Sequence, residues 1–378
     1  MKVMIVVTHL LGTGHLARAL TFGRAFRDAG DQVLVVSGGT RVPHFDSTGL
    51  TLVQLPPVRS DGTDFTTLLQ DGPDIAGPDH MQARADQLIK TLTDFVPDVL
   101  ITELFPFGRR ILRDEFRTLL EAATGMGNPP LILGSVRDIL APPGKPAKAA
   151  FAEDMVGRFY DGVLVHSDPD VVALESSWPV SEVMGHALHY TGFVAPAPPA
   201  YDPRPNHTIL VSAGGGSVGD RMFDAALDAA YLMPQVHWLF LVGGPSARRD
   251  KLISKAPLHV GVERPRPDFR KLLQGAVASV SMCGYNTALD VMQTGVPAVF
   301  VPFDDEGEVE QGLRADALSA QDGIEVLRQD ALSGPALVMA LDDVQGQRAR
   351  PPRTIGMDGA ARTVDITRAL RTRQTDGL

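Results

Sequence analysis

The sequence alternates short segments rich in Val, Ile and Leu with segments of helical periodicity, and this alternation constrains the fold more than any other feature. Short apolar segments separated by helices are typical of parallel strands that crossover helices bury on both faces. The strands predicted in the first half cover residues 2–7, 32–37, 99–102, 131–135, 162–166 and 189–193, and the helices cover 15–29, 81–95 and 106–123. The chain is therefore predicted to be an α/β protein with parallel sheets.

A proline-rich stretch, residues 195–206, interrupts this alternation once. Its prolines cannot donate to a sheet ladder and favour an extended connection, so we interpret it as a linker between domains. The pattern then restarts, with predicted strands at 208–212, 238–242, 277–281 and 298–302 and helices at 220–232, 268–274, 287–294 and 310–320. We predict two Rossmann-like doubly wound domains, 1–194 and 207–350, followed by a C-terminal segment, 351–378.

Charge and composition exclude several classes of protein. The 378 residues include 35 Lys plus Arg and 45 Asp plus Glu, a formal charge of −10, which argues against nucleic acid as the main partner. A single cysteine, Cys283, cannot form an internal disulfide, and no apolar run approaches the roughly 20 residues of a membrane helix. The apolar start superficially resembles a signal peptide, but His9 breaks it. We expect a cytoplasmic protein.

The first predicted strand is followed by a glycine-rich loop, Gly-Thr-Gly-His, at residues 12–15. Gly12, Gly14 and Ala17 fit the GxGxxG/A dinucleotide fingerprint, but the second strand ends in Ser-Gly-Gly at 37–39 instead of the acid that binds the ribose. A nicotinamide enzyme is therefore disfavoured. His15 begins a helix, whose dipole disfavours imidazolium, so position alone allows either a catalytic base or a capping histidine.

A second glycine-rich loop follows the first strand of the second half. Gly214, Gly215, Gly216 and Ser217 place successive N–H groups before a predicted helix, which favours phosphate binding over a tight turn that needs one glycine. No Gly-Lys-Ser/Thr follows, so the loop is not a Walker motif.

The region after the strand at 277–281 carries the most specific pattern of the chain. It reads Ser-Met-Cys-Gly-Tyr-Asn-Thr-Ala-Leu-Asp at 281–290, then Gly-Val-Pro at 295–297, Val-Pro-Phe at 301–303 and Glu-Gln at 310–311. This pattern resembles the donor-binding half of GT-B glycosyltransferases of the MurG type. Gly-Thr-Gly-His at 12–15, Glu103, residues 134–138 and Thr-Gly-Phe at 191–193 extend the resemblance into the first half.

The resemblance implies two Rossmann-like domains that face each other across a cleft, and a C-terminal segment that returns to the first domain. It also implies a donor site made of Gly14, Gly214, Gly215, Gly216, Ser217, Glu263, Arg264, Gly284, Asn286, Thr287, Asp290, Glu310 and Gln311. By resemblance, the glycine loop holds a diphosphate, Asp290 binds the ribose hydroxyls, Glu310 and Gln311 contact the sugar, and residues 262–264 meet the base. Cys-Gly-Tyr-Asn-Thr at 283–287 and the short Asp290 depart from the MurG pattern, so the donor stays open.

Three residues after first-half strands are candidate bases: His15, Glu103 and Asp138. The resemblance ranks His15 first, and Glu103 and Asp138 are alternatively ligands for acceptor hydroxyls. No metal and no cofactor are expected, because glycine amides and helix dipoles can stabilise the leaving diphosphate. Asp168 and Asp170 spell a DxD, which we interpret as a helix cap.

The function implied is inverting transfer of a sugar from a nucleoside-diphosphate sugar, UDP-linked, to a saccharide or lipid-linked acceptor in polysaccharide or glycoconjugate synthesis. A sugar-nucleotide hydrolase of the PseG type and a non-catalytic nucleotide-binding protein are the alternatives. A lipid-linked acceptor suggests peripheral contact with the inner face of a membrane, through an apolar and basic face that comprises Phe105, Phe107, Arg109, Arg110, Arg113 and Arg117. Segment 61–80 is predicted to be a mobile loop near the ligand-facing edge.

Overall fold

The computed structural model describes residues 1–43, 45–61, 64–198, 200, 207–214, 218–304, 308–348 and 350–376. The chain divides into two compact units: one comprises residues 1–194 and 358–378, and the other comprises residues 195–357. Part of the predicted linker, residues 199 and 201–206, lies outside the described residues.

The first unit contains a seven-stranded parallel sheet in the order β3-β2-β1-β6-β7-β8-β9. Its strands are β1 Lys2–Val7, β2 Gln32–Ser37, β3 Thr51–Gln54, β6 Val99–Glu103, β7 Leu131–Arg137, β8 Gly162–His166 and β9 Leu188–Tyr190, with a separate antiparallel pair, β4 Arg59–Asp61 and β5 Asp64–Leu69. Its α-helices are α1 Gly14–Asp28, α2 Pro78–Phe95, α3 Arg113–Thr124, α4 Pro146–Phe159, α5 Glu182–Ala187 and the C-terminal α12 Gly359–Asp376, and Arg110–Leu112 and Leu174–Ser176 are 3-10 helices.

Both faces of this sheet are buried, which explains why its strands are apolar throughout. Val3 and Ile5 of β1 pack in one core with Phe22 of α1, whereas Met4 and Val6 pack in another core with side chains of α2 and α3. Successive strand residues point to opposite faces, so a strand covered on both sides needs apolar residues at every position.

The second unit contains a six-stranded parallel sheet in the order β12-β11-β10-β13-β14-β15. Its strands are β10 Thr208–Ser212, β11 His237–Leu241, β12 Val260–Glu263, β13 Ala278–Ser281, β14 Ala298–Phe300 and β15 Ile324–Val326. Its helices are α6 Asp220–Leu232, α7 Ser246–Ile253, α8 Phe269–Gly275, α9 Tyr285–Thr294, α10 Glu310–Leu318 and α11 Gly334–Gly346. The prediction of two Rossmann-like parallel-sheet units is confirmed.

Each sheet reverses its strand order beside its first strand. β1 lies between β2 and β6, and β10 lies between β11 and β13. Connections leave such a position in opposite directions, so the loops at the carboxyl ends of the two strands separate and open a crevice, where ligands bind in folds of this type. The glycine-rich loops at 12–15 and 214–217 follow β1 and β10, so each belongs to one of these switch points.

Some local predictions were wrong. Segment 61–80, predicted as a loop, contains β5 and the start of α2. The helix predicted from residue 106 begins at Arg113, after a 3-10 turn, because Leu104 and Arg109 have φ of 70° and 58°, which an α-helix cannot contain. Within the described parts of the chain, no helix is both long enough and apolar enough to cross a bilayer.

Candidate functional site

His15 and Glu103 meet at the switch point of the first sheet. His15 is the second residue of α1, and Glu103 is the last residue of β6, the strand beside β1. The His15 Nδ1 atom lies 2.9 Å from Glu103 Oε1. The side chain of His15 is 13% exposed and that of Glu103 is 1% exposed. The structure therefore brings two of the three predicted bases together.

Two residues that the sequence analysis did not single out hold the Glu103 carboxylate. Arg18 Nη2 donates to Glu103 Oε1 and lies 3.0 Å from His15 Nδ1, and Ser135 Oγ donates to Glu103 Oε2. Arg18 follows His15 by three residues on α1, so their side chains share a helix face. Ser135 stands opposite Glu103 in the β6–β7 register. Both carboxylate oxygens are therefore engaged.

The hydrogen-bonded chain continues deeper into the unit. His166 Nε2 lies 2.9 Å from Ser135 Oγ, and His166 Nδ1 lies 2.9 Å from Thr191 Oγ1. His166 and Thr191 are both completely buried, and the His166 ring packs on Phe22 with ring centroids 5.5 Å apart. The catalytic candidate His15 is thus the outer end of a fixed polar chain.

The environment sets the charges of this cluster. Burial lowers the pKa of His15 to about 3, an effect that the hydrogen bond from His15 to Glu103 opposes. Burial by itself would raise the pKa of Glu103, but the Arg18 charge and the His15 hydrogen bond outweigh it and hold that pKa well below its usual value. Burial also lowers the pKa of His166 to about 3. At neutral pH both histidines are neutral and Glu103 is ionised.

Two contacts at Nδ1 bear on the tautomer of His15. Arg18 Nη2 only donates hydrogen bonds, so a hydrogen bond from Arg18 to Nδ1 places the His15 proton on Nε2. An ionised carboxylate only accepts hydrogen bonds, so a hydrogen bond from Nδ1 to Glu103 places the proton on Nδ1 and leaves the lone pair on Nε2, the ring nitrogen that Glu103 does not contact. A neutral imidazole held in this tautomer can accept a proton from a hydroxyl group.

Asp138 occupies a different position. It follows β7, is 1% exposed, and its Oδ1 accepts a hydrogen bond from the Ile139 N–H at 2.7 Å. Its assignment as a base or an acceptor ligand stays a prediction. Gly14, the first residue of α1, has open space where a Cβ atom would stand, so the backbone there is accessible.

The prediction that Phe105 and Phe107 belong to an apolar and basic face for membrane contact is wrong, because both side chains are buried. Phe105 is fully buried and stacks on Phe116 with centroids 4.5 Å apart, and Phe107 is 2% exposed and packs edge-on against Trp178 at 5.3 Å. Arg109 is turned inward, where Nε donates to the Thr8 carbonyl at 2.6 Å and burial lowers its pKa to about 10. The phenylalanines fill the core, because the loop before α3 folds back on the sheet.

In the second unit, the glycine loop begins directly after β10. Gly214 has φ of 77°, and its N–H donates to Ser212 Oγ at 3.2 Å. Gly215, Gly216 and Ser217 lie outside the described residues. Arg248 of α7 donates to the Val218 carbonyl at 3.0 Å and pairs with Asp220, so a cation that the sequence analysis missed stands at the end of this loop.

The second loop of this switch point leads into α9. Gly284 is the N-cap of α9, and a Cβ atom there would have no heavy atom within 4 Å, so the first-turn N–H groups can be approached. Asn286 and Thr287 stand four and three residues before Asp290, and the three side chains share one helix face. This face combines two neutral polar groups and one carboxylate.

Asp290 has a partner that the sequence analysis missed. Arg270 of α8 places Nε 2.8 Å from Asp290 Oδ1, and the two side chains are 20% and 13% exposed. Burial raises the pKa of Asp290 to about 6, although the charge of Arg270 opposes this effect. A small change near neutral pH can therefore alter the charge of Asp290.

The start of α10 and the end of β12 carry the other predicted donor contacts. Gln311 Oε1 accepts from the Phe303 N–H at 3.2 Å, and the Glu310 N–H donates to Glu308 Oε1 at 2.8 Å. Glu263 ends β12 and is exposed, as is Arg264. These four donor assignments stay predictions.

Other candidates have structural roles. Cys283 is fully buried, and its carbonyl accepts from Arg314 Nη1 at 3.0 Å. Asp168 accepts from the Asp170 N–H at 3.1 Å in a turn, so the predicted helix cap is wrong, because no helix begins there. No group of three or more His, Cys, Asp or Glu side chains able to hold a metal occurs among the residues that the structure covers.

The chain is similar in sequence to one known domain family and to curated enzymes. Residues 237–364 match the glycosyltransferase family 28 C-terminal domain. The UDP-N-acetylglucosamine--N-acetylmuramyl-(pentapeptide) pyrophosphoryl-undecaprenol N-acetylglucosamine transferase of Brucella canis is 27% identical over 207 residues, which cover 51% of this chain and 55% of the relative. The Brucella abortus protein of the same name is 26% identical over the same coverage. The chain spans about half the length of these curated relatives.

Solved structures are similar over the whole chain. MurG of Acinetobacter baumannii has a TM-score of 0.61 at 17% identity and covers 98% of this chain and 100% of its own. The glycosyltransferase VinC in complex with dTDP has a TM-score of 0.59 at 15% identity, over 99% and 100% of the two chains. A UGT transferase from Siraitia grosvenorii in complex with UDP has a TM-score of 0.57 at 14% identity, over 98% and 94%. The chain therefore has the GT-B fold of these structures, and residues 237–364 are similar to the glycosyltransferase family 28 C-terminal domain.

Proposed function

We propose that the protein is a glycosyltransferase that moves a sugar from a nucleoside-diphosphate sugar, UDP-linked, to a hydroxyl of a saccharide or lipid-linked acceptor. The family 28 domain supports the class of reaction. The observation that carries the chemistry is the contact of 2.9 Å between a neutral His15 and an ionised Glu103 at the switch point of the first sheet.

In the proposed reaction, His15 is the base. Its Nε2 atom takes the proton of the acceptor hydroxyl as the acceptor oxygen attacks the anomeric carbon of the donor. Glu103 holds the Nδ1 proton, and its hydrogen bond and negative charge offset part of the burial that disfavours the imidazolium. Arg18 and Ser135 keep the Glu103 carboxylate in place, so no reorganisation is needed during the reaction.

The bond between the anomeric carbon and the diphosphate oxygen breaks on the opposite side, and the electron pair leaves with the nucleoside diphosphate. We propose that the glycine-rich loop after β10 and the N-terminus of α9 at Gly284 stabilise the departing charge. Attack from the face opposite the leaving group inverts the anomeric configuration. The same groups make a metal ion unnecessary, so we expect activity to persist in EDTA.

Asp290 is proposed to accept hydrogen bonds from the ribose hydroxyls of the donor. A carboxylate offers acceptors for two neighbouring hydroxyls, and Asn286 and Thr287 lie on the same helix face. Gln311, Glu310, Glu263 and Arg264 extend the proposed site toward the sugar and the base.

The acceptor is proposed to bind in the first unit beside α1. A cavity of about 310 Å³ lies there and is lined by Leu16, Leu20, Ser37 and Arg41, among others. Leu16 adjoins the proposed base, and Ser37 ends β2. Apolar walls with a hydroxyl and a guanidinium group suit an acceptor with an apolar portion, such as a lipid-linked saccharide.

Thermal unfolding with UDP, GDP, TDP, CDP, ADP and NAD at equal concentration tests the donor site. A ligand at about 100 times its dissociation constant stabilises a protein by about 2.7 kcal/mol, which is several degrees for domains of this size. We expect a selective increase in Tm with one nucleoside diphosphate, UDP first. An increase with NAD alone would contradict the proposal.

Turnover is then measured with UDP-N-acetylglucosamine, with and without a lipid-linked diphosphate acceptor. We expect UDP release to depend on the acceptor. Equally fast release without an acceptor would identify a hydrolase, and binding without release in either case would identify a binding protein. NMR of the anomeric proton of the product shows whether the configuration inverts.

A further inference from the structure

Arg270 occupies the centre of a contact network in the second unit. Its Nε atom lies 2.8 Å from Asp290 Oδ1, its Nη1 atom donates to the Ala197 carbonyl at 2.6 Å, and its Nη2 atom donates to Gln293 Oε1. Gln293 is 5% exposed and itself donates from Nε2 to the Pro196 carbonyl at 3.1 Å. The guanidinium group is therefore held from three directions.

This network joins three parts of the unit that are distant in sequence. Arg270 belongs to α8, and Asp290 and Gln293 belong to α9. Pro196 and Ala197 lie near the start of the unit, which begins at residue 195. Asp290 and Gln293 are three residues apart and share a face of α9. The planar guanidinium can contact a carboxylate, an amide and two carbonyls at once, which the compact ammonium group of lysine cannot.

We propose that Arg270 is a positioning residue for donor binding: through its contact with Oδ1 it holds the Asp290 carboxylate in the orientation that receives the ribose hydroxyls, and it couples this orientation to segment 195–197. The inference rests on the proposed ribose role of Asp290. It extends that function, because Arg270 acts through Asp290 and makes no ligand contact in the proposal.

The surroundings of Asp290 support this role. Other charged groups packed on or beside α9 in the described part of the chain include Arg314, which donates to the Cys283 carbonyl and stands over the Tyr285 ring, and Arg350, which donates to the Val296 carbonyl at 2.8 Å. Arg353 packs on the same helix, and its N–H donates to the Met292 carbonyl. Arg270 pairs with Asp290.

The test is a double-mutant cycle with Asp290→Asn and Arg270→Gln, read out as the dissociation constant of UDP by calorimetry. We expect each single variant to weaken UDP binding about tenfold or more, because each disrupts a charge-assisted contact. In the Asp290→Asn background, Arg270→Gln should cost less than about twofold, because a residue that acts through Asp290 has nothing left to position.

The pH dependence of UDP affinity distinguishes a positioning role of Arg270 from a merely structural one. UDP affinity should fall as Asp290 protonates, with a midpoint near 6 in the parent protein. Loss of the adjacent positive charge in Arg270→Gln should move this midpoint upward by about one pH unit, and Arg270→Lys should restore part of the shift. Arg328→Lys, which alters another Arg–Asp pair of the same unit, is the control and should leave the midpoint in place.

The outcomes separate the inference from the proposed function. If Asp290→Asn leaves UDP affinity unchanged, the ribose assignment and the role of Arg270 are both wrong. If Asp290→Asn weakens binding but the two effects add and the midpoint does not move, Arg270 is structural and only the inference fails. Far-UV circular dichroism and the Tm of each variant show whether it is folded.

Discussion

Replacing Glu103 by Gln removes one charge from the His15 cluster and keeps the shape of the side chain. Glu103 is 1% exposed and its partner Arg18 is 4% exposed, so the variant leaves a buried cation without its counterion. Breaking a buried pair in this way costs about 3 to 5 kcal/mol, which corresponds to a decrease in Tm of about 10 °C for a unit of this size.

The same change replaces a carboxylate, which only accepts hydrogen bonds, by an amide whose NH2 group can donate to His15 Nδ1. The imidazole can then adopt the other tautomer, in which Nε2 carries the proton and cannot act as a base. A positioned general base contributes about 100-fold to 10,000-fold to the rate, so we expect kcat to fall within that range. UDP affinity should not change, because every proposed nucleotide contact except Gly14 lies in the second unit.

Steady-state UDP release below the Tm of the variant measures kcat, and Glu115→Gln is the matched control. Glu115 is also a buried carboxylate of the first unit, and Arg84 Nε donates to it at 2.9 Å. It should lose comparable stability and keep its kcat. A folded Glu103→Gln protein with a kcat within about threefold of the parent would refute the tautomer argument.

Three further predictions follow from the structure. Asp290→Asn should weaken nucleoside-diphosphate binding by about 10-fold to 100-fold in calorimetry, since it removes a charged acceptor; unchanged affinity would exclude the ribose role. Lowering the pH from 6.5 to 5 should reduce the free energy of unfolding by about 2 kcal/mol, as urea titrations can measure. The folded-state pKa values of His15 and His166 are both about 3, so only the unfolded chain gains their protons in this range, and Asp290, with its pKa raised to about 6, offsets part of the loss. A flat profile would contradict the burial of the two histidines. Gly284→Ala should keep the Tm, because the added Cβ atom has space, but it should weaken UDP binding. Gly219→Ala should lower the Tm, because Gly219 has φ of 91° and the added Cβ atom would lie 2.8 Å from Ala213 Cβ. Equal Tm values for the two variants would show that the backbone at Gly219 is unstrained.

The predictable part of the fold is the local part. Strands β1, β2, β8 and β10 have the predicted bounds, because an apolar run of fixed length between helical segments is a property of a few adjacent residues. The start of α3 was harder to predict, because the left-handed backbone at Leu104 and Arg109 leaves no mark in the apolar periodicity of the sequence. Short elements such as β3, α5, α7 and β15 were missed for a similar reason: each is too short to show a period.

Single candidate residues of the site could be predicted, but not their partners. His15 and Asp290 stand beside recognisable loops, and Arg18 could have been found from its spacing of three residues after His15. Ser135 and His166 could not, because only the β6–β7 and β7–β8 registers bring them beside Glu103. The burial of Phe105 and Phe107 likewise depends on how a loop folds back, which their apolar character does not specify.

The sequence by itself determined the two Rossmann-like units, the glycine loops after β1 and β10, and the presence of His15 and Asp290 near helix starts. These follow from contacts within one loop or one helical turn. Only the tertiary structure decided that Glu103 contacts His15 and that Arg270 pairs with Asp290. Such pairs join residues far apart in the chain, and their electrostatic energy depends on a distance and a degree of burial that strand order and helix packing create.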